Sequence, residues 1–132
     1  MPSALRQEIR VDGLSEPISH YTDAVRFGDL LFVSGVAPLD GAGRVVSDDV
    51  VEQAQRVFAN LEEILKASAA QFADVLKVTV FLTDVRDRTE INAVRQQYFG
   101  DVRPASTLIG VKELAIPGMK IEVEAVVGLR QL

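Results

Sequence analysis

The kinds of side chain in this sequence able to move a proton or hold an ion are few, and the 19 Asp and Glu carboxylates are the most numerous. Cysteine is absent and His20 is the only histidine. Disulfides, thiolate metal sites and cysteine nucleophiles are therefore excluded together. A single imidazole also excludes a histidine-rich metal centre, leaving open only a carboxylate site for a hard cation. Ser34-Gly35 closes an apolar run, but no base partner lies near Ser34 in the sequence, so nucleophilic catalysis is discounted. His20 could act as a pH-sensitive base, although a surface or hydrogen-bonded histidine explains a lone imidazole more simply. Near the C-terminal end, residues 120–127 alternate strictly. Ile121, Val123, Ala125 and Val127 share one face of a strand, and Lys120, Glu122, Glu124 and Val126 share the other. If the second face meets a cleft, a carboxylate on it can hold a water or accept a proton. If it meets solvent, the same residues form an ordinary wet strand face.

The charge balance narrows the partners. Net charge is −5, and the 14 Lys and Arg residues are scattered along the chain. A binder of phosphate backbones normally presents a basic face, so nucleic acid is an unfavoured partner and a small molecule the favoured one. No apolar run approaches the roughly 20 residues that span a bilayer. The first residues, MPSALRQEIR, have no apolar signal-peptide core, which predicts a cytoplasmic location and no membrane partner. The length of 132 residues, with 48% apolar and 25% charged, fits one domain over 1–132 with enough chain for a real core.

The elements that must position these residues follow from periodicity. Residues 5–11 alternate weakly and predict a first strand, and residues 12–20, with Gly, Ser and Pro, predict a loop. Residues 24–27 and 30–34 flank Gly28-Asp29, which predicts a hairpin; residues 38–43 form a second turn region. From Ser47 the period changes to three and four, with Val50, Val51, Ala54, Val57, Phe58, Leu61, Ile64 and Leu65 on one stripe of a long helix capped by Ser47 or Asp48. Residues 75–83 predict a strand with Val78, Val80 and Leu82 on one face and Lys77, Thr79, Phe81 and Thr83 on the other. Asp87-Arg88-Thr89-Glu90 has the spacing of a capping box. It opens a short helix that turns Ile91, Val94 and Tyr98 inward and ends at Gly100. Residues 105–111 predict a strand, 115–119 a Pro-Gly turn, and 120–127 the last strand. The order β-β-β-α-β-α-β-β predicts an α+β domain, a sheet covered on one face by two helices. Phe81, Leu108 or Ile109, and Val126 leave the other face too apolar to stay wet, which predicts an oligomer.

Four stretches in this order and spacing resemble the RidA (YjgF) family across nearly the whole chain. They are Ser19-His20-Tyr21-Thr22-Asp23-Ala24-Val25, Leu31-Phe32-Val33-Ser34-Gly35, Val78-Thr79-Val80-Phe81-Leu82-Thr83-Asp84, and Lys120-Ile121-Glu122-Val123-Glu124-Ala125. Asn92 and Arg103-Pro104-Ala105 also match in place. The resemblance implies a chorismate-mutase-like RidA fold, with a mixed β-sheet covered on one face by two helices. It also implies a homotrimer around a β-barrel-like core, with ligand clefts between neighbouring subunits. The implied activity is cofactor-free hydrolysis of a reactive imine or enamine, of the 2-iminoacid or 2-aminomuconate type, with release of ammonia. No metal and no cofactor are implied. Glu122 matches the acidic residue that positions the attacking water, Tyr21 the tyrosine that reaches into the cleft, and Ser34 and Gly35 the cleft wall. Asn92 matches a residue that braces the cleft loop, while Glu124 stays structural.

One departure stands out. The deaminating relatives carry Pro-Ala-Arg, whose guanidinium clamps a substrate carboxylate through two parallel hydrogen bonds. Here Pro104-Ala105 is followed by Ser106 and Thr107, and a serine hydroxyl cannot supply a charged fork. Arg103, just before Pro104, could replace the missing charge. So could Arg88, where an aromatic residue is common, or Arg95, one turn beyond Asn92. Alternatively, the Ser106 and Thr107 hydroxyls, with backbone N–H groups, could hold a neutral or differently shaped ligand. Three functions compete: the hydrolytic deaminase, a protein that binds a metabolite in the same cleft without turning it over, and, disfavoured by the acidic balance, a ribonuclease or translation inhibitor.

Overall fold

The computed structural model describes residues 5–130; the first four residues of MPSALRQEIR lie outside them. Its elements are β1 (Arg6–Ile9), β2 (Ala24–Phe27), β3 (Leu30–Val36), α1 (Val50–Ala67), β4 (Val75–Leu82), α2 (Arg88–Phe99), β5 (Ala105–Gly110) and β6 (Ile121–Gly128). Short 3-10 turns at Phe72–Asp74 and Val85–Asp87 precede β4 and α2. The six strands form one sheet in the order β1-β2-β3-β6-β4-β5. All neighbours are antiparallel except β4 and β5, which run parallel on either side of α2. The last strand is thus the central one, between β3 and β4.

Period-2 alternation decides which face each strand buries. Ile121, Val123, Ala125 and Val127 lie beneath the helices with Val78, Val80 and Leu82 of β4 and Leu31 and Val33 of β3, all buried. The helices close that face. On α1 the expected stripe is buried from Val50 to Leu65, except that Val51 is only half-buried. Phe58 stacks on Tyr98 with centroids 5.6 Å apart and meets Phe99 edge-on at 6.0 Å, while Phe72 packs on both. This aromatic cluster pins α2 to α1. Tyr98 was expected inward and is half-buried; its neighbour Phe99 is the more deeply buried of the two. On the far face Phe32, Leu76 and Ile109 stand exposed beside half-buried Phe81 and Val126.

Both helix starts differ from expectation. The cap of α1 is Asp49, not Ser47 or Asp48: its carboxylate accepts the Glu52 N–H at 3.0 Å, and Ser47 Oγ instead accepts the Asp49 N–H at 3.0 Å. The capping box at Asp87 does not form. Asp87 already has helical backbone (φ −70°, ψ −10°) because the 3-10 turn runs directly into α2. The capping moves upstream to Asp84, which accepts from Arg86 N–H at 3.0 Å and from the Arg86 guanidinium at 2.7 Å. These hydrogen bonds hold the Asp84 carboxyl down at about 2.

Gln53 is the one polar side chain buried in the core of the described residues. Its Nε2 donates to Ser47 O (2.8 Å) and Gly118 O (2.9 Å), and its Oε1 accepts the Lys120 N–H (2.7 Å). One amide thus fixes the start of β6 against α1. Gln53→Leu fills similar space but strands three backbone groups. The expected loss is about 3 kcal/mol, from a penalty of about 1–3 kcal/mol per unsatisfied buried group reduced by local relaxation. Urea titration checks it: an unchanged midpoint would remove Gln53 from this role.

Candidate functional site

Glu122 lies on β6 opposite Phe81 of β4, on the face turned away from the helices. On its other side the register of β3 shifts between Val33 and Val36, so Ser34 and Gly35 bulge out of the ladder. The Glu122 carboxyl lies against the Gly35 backbone. A Cβ added at Gly35 would stand 2.7 Å from Glu122 Cδ and 2.9 and 3.0 Å from its two oxygens. The side chain is half-buried, and burial first, with the nearby Glu124 carboxylate second, pushes its pKa up. Glu124 itself is exposed. No protein donor satisfies the Glu122 oxygens among the described residues, so both lone-pair sets are available to a ligand or a water.

Ser34, next to Gly35 in the bulge, ties this part of β3 to the Tyr21 loop. Its hydroxyl donates to Thr22 O at 2.6 Å and its N–H to Asp23 O at 3.0 Å. With its proton committed to a carbonyl, the hydroxyl serves as a tether. Thr22 Oγ1 in turn donates to Ile9 O at 2.8 Å, and Asp23 accepts from Val11 N–H and from Arg10, both at 2.8 Å. Sequence reasoning passed over Asp23, although a carboxylate between a loop and a strand start is a common anchor. Tyr21 is exposed, with its hydroxyl accepting the Ile18 N–H at 3.3 Å. Tyr21, Ser34 and Gly35 line a small cavity of about 60 Å³, together with Leu14, Pro17 and Asn60. His20 is exposed on the same loop.

A second concavity, of about 630 Å³, lies between α2 and the start of β5, where Asn92, Arg95 and Arg103 line it with Asp101. Ser106 pairs with Val78 and so faces the helix side of the sheet. Its hydroxyl accepts from Arg95 Nη2 at 3.0 Å. Thr107 faces the opposite side, where its hydroxyl accepts from Lys77 Nζ at 2.6 Å. The Ser106 and Thr107 hydroxyls therefore do not converge on one ligand, because neighbouring residues of a strand point to opposite faces. Arg88, the first residue of α2, is exposed and does not line the concavity. Tyr21, Ser34, Gly35 and Glu122 thus form one group and Asn92, Arg95, Arg103 and Ser106 another; among the described residues, Tyr21, Ser34 and Gly35 line one concavity and Asn92, Arg95 and Arg103 a different one.

This α+β architecture, with two helices on one face of a six-stranded mixed sheet, recurs in solved structures. The Escherichia coli YjgF gene product matches with a TM-score of 0.86 at 29% identity, over 94% of this chain and 99% of its own. TdcF of E. coli, crystallised with bound serine, matches with a TM-score of 0.86 and 29% identity over the same shares of 94% and 99%. The family model described as Endoribonuclease L-PSP matches residues 13–128. The human 2-iminobutanoate/2-iminopropanoate deaminase is 35% identical over 127 residues, covering 96% of this chain and 92% of that protein. A RutC family protein of Pyrococcus abyssi is 36% identical over 122 residues, covering 92% and 95%. The chain belongs to the RidA (YjgF) family, whose relatives include imine deaminases.

Proposed function

We propose that this protein is a cofactor-free hydrolytic deaminase of a reactive imine or enamine, acting in clefts between the subunits of a cytoplasmic homotrimer. The observation that carries the reading is the Glu122 carboxylate, half-buried against a glycine backbone with its oxygens unspent. Such a group can hold a water on one side of a C=N carbon and take its proton as the C–O bond forms. The C–N bond then breaks, and imine plus water becomes carbonyl compound plus ammonia. The likeness to imine deaminases at about 35% identity supports the class of reaction. Two further features support a cleft shared between subunits: residues of the two groups line different concavities among the described residues of one chain, and apolar side chains are exposed on the far face of the sheet.

Ammonia release should be followed from freshly generated 2-aminoacrylate and from 2-aminomuconate, with the native mass measured by sedimentation. Turnover of either above the spontaneous rate by a trimer is the expected result. Inactivity towards both at high protein concentration, or a monomer, overturns the reading. Ser106 favours one second reading, a metabolite-binding protein without turnover; ligand-dependent melting shifts with no product would select it. The net charge of −5 counts against RNA as the substrate.

A further inference from the structure

Arg95 is the site cation whose surroundings do not match its charge. It is half-buried on α2, burial pushes its pKa down, and no carboxylate lies within ion-pair distance of it among the described residues. Its recorded partner is neutral: the Ser106 hydroxyl, reached by Nη2 at 3.0 Å. A guanidinium removed from water without a counter-charge is costly, and such groups are normally paired. Arg103, the Asn92 amide and Asp101 line the same concavity, so two cations, a neutral donor and one carboxylate face one space, with the cations in excess.

We infer that Arg95 is the carboxylate anchor of this site, with Ser106 holding its guanidinium in place. The inference rests on the deaminase reading for its substrate, an imine bearing a carboxylate, but not for the binding itself. A guanidinium has five donors in a planar fork. Ser106 takes one, which leaves an edge of two parallel N–H groups matched to the two oxygens of a carboxylate. The charge is carried by the helix and aimed by the strand. A serine at position 106 is then the residue that lets Arg95 reach β5. A carboxylate fits better than a phosphate dianion because Asp101 borders the same space and the chain carries a net charge of −5. Asn92, three residues earlier on the helix, adds an uncharged donor or acceptor; Arg103, exposed on the rim, adds attraction at longer range.

Calorimetric titration of the native protein with 2-oxobutanoate, its methyl ester and inorganic phosphate tests this independently of turnover. The acid should bind at least about tenfold more tightly than the ester or phosphate, and Arg95→Gln should weaken the acid by about 10- to 100-fold while leaving the ester unchanged, as expected for losing hydrogen bonds to a charged group. Arg88→Gln should change neither. Arg95→Lys, which keeps the charge and loses the fork, should fall between native and Arg95→Gln and guards against a folding artefact. Arg95→Gln combined with Ser106→Arg should recover acid binding, since the fork returns on the strand. Acid binding unaltered in Arg95→Gln, no measurable acid binding by the native protein, or equal binding of phosphate overturns the inference. Failure of the deaminase reading looks different: no ammonia from any imine, with Arg95-dependent binding of the acid intact.

Discussion

Glu122→Gln is expected to lower kcat for imine hydrolysis by about 10²–10⁴-fold, the usual contribution of a positioned general base, while the fold persists. Glutamine keeps the volume against Gly35 but cannot take a proton from water. The pH profile gives a second check. Burial first and Glu124 second raise the Glu122 pKa, so activity should fall with decreasing pH along a limb set above the ordinary glutamate range. Glu124→Gln removes the like charge and should move that limb to lower pH, leaving the part due to burial. The sign for stability runs the other way. A carboxyl whose folded pKa is raised ionises more readily in the unfolded chain. Its ionisation therefore disfavours the fold at pH above the folded pKa and costs nothing below the unfolded one. Glu122→Gln should accordingly raise Tm at neutral pH, with the gain vanishing in strong acid. Activity close to native in this variant would remove Glu122 from the chemistry; lost activity with lost stability would mean a structural role only.

What could be read from the sequence was whatever repeats locally. The alternation from Ile121 to Val127 states which side of β6 is buried, and the stripe from Val50 to Leu65 does the same for α1, because periods of 2.0 and 3.6 are properties of the local backbone. Pairing across the sheet is not local. Nothing in residues 121–128 says that they insert between β3 and β4, so the meeting of Gly35 with Glu122 could not be derived; only the family resemblance put them in one site. Local signals also failed where a neighbouring turn competed. The Asp87 pattern was sound as a capping box, yet the 3-10 turn at Val85–Asp87 had already made its backbone helical. Gln53 hid at the border of the apolar stripe, where a buried amide and a wet one look alike in a sequence. Arg95 could not be separated from Arg88 and Arg103 by spacing, because what distinguishes it is a contact with the parallel strand beyond its helix.

Gly35→Ala separates positioning from folding more sharply than any change to the carboxylate itself. The added methyl would stand 2.7 Å from Glu122 Cδ, well inside contact distance, and something must give. The atoms it meets belong to the end of a flexible side chain, so Glu122 swings away while the strands stay paired. The cost to stability should therefore sit near about 1 kcal/mol, the low end of the usual range of about 1–3 kcal/mol for a small-to-large change. The cost to catalysis should be large, because displacing a reacting group by about 1 Å can cost about 100-fold. Ammonia-release kinetics paired with thermal melting read both quantities from one preparation. Native activity in Gly35→Ala would show that the carboxylate works from another rotamer and that the close approach to Gly35 is incidental. A collapse in Tm would show that the glycine serves the bulge in β3. The pattern expected from the geometry is an intact fold with its water-directing group turned aside, and Gly35→Ala/Glu122→Gln should then be little slower than Glu122→Gln alone, since both changes disable the same group.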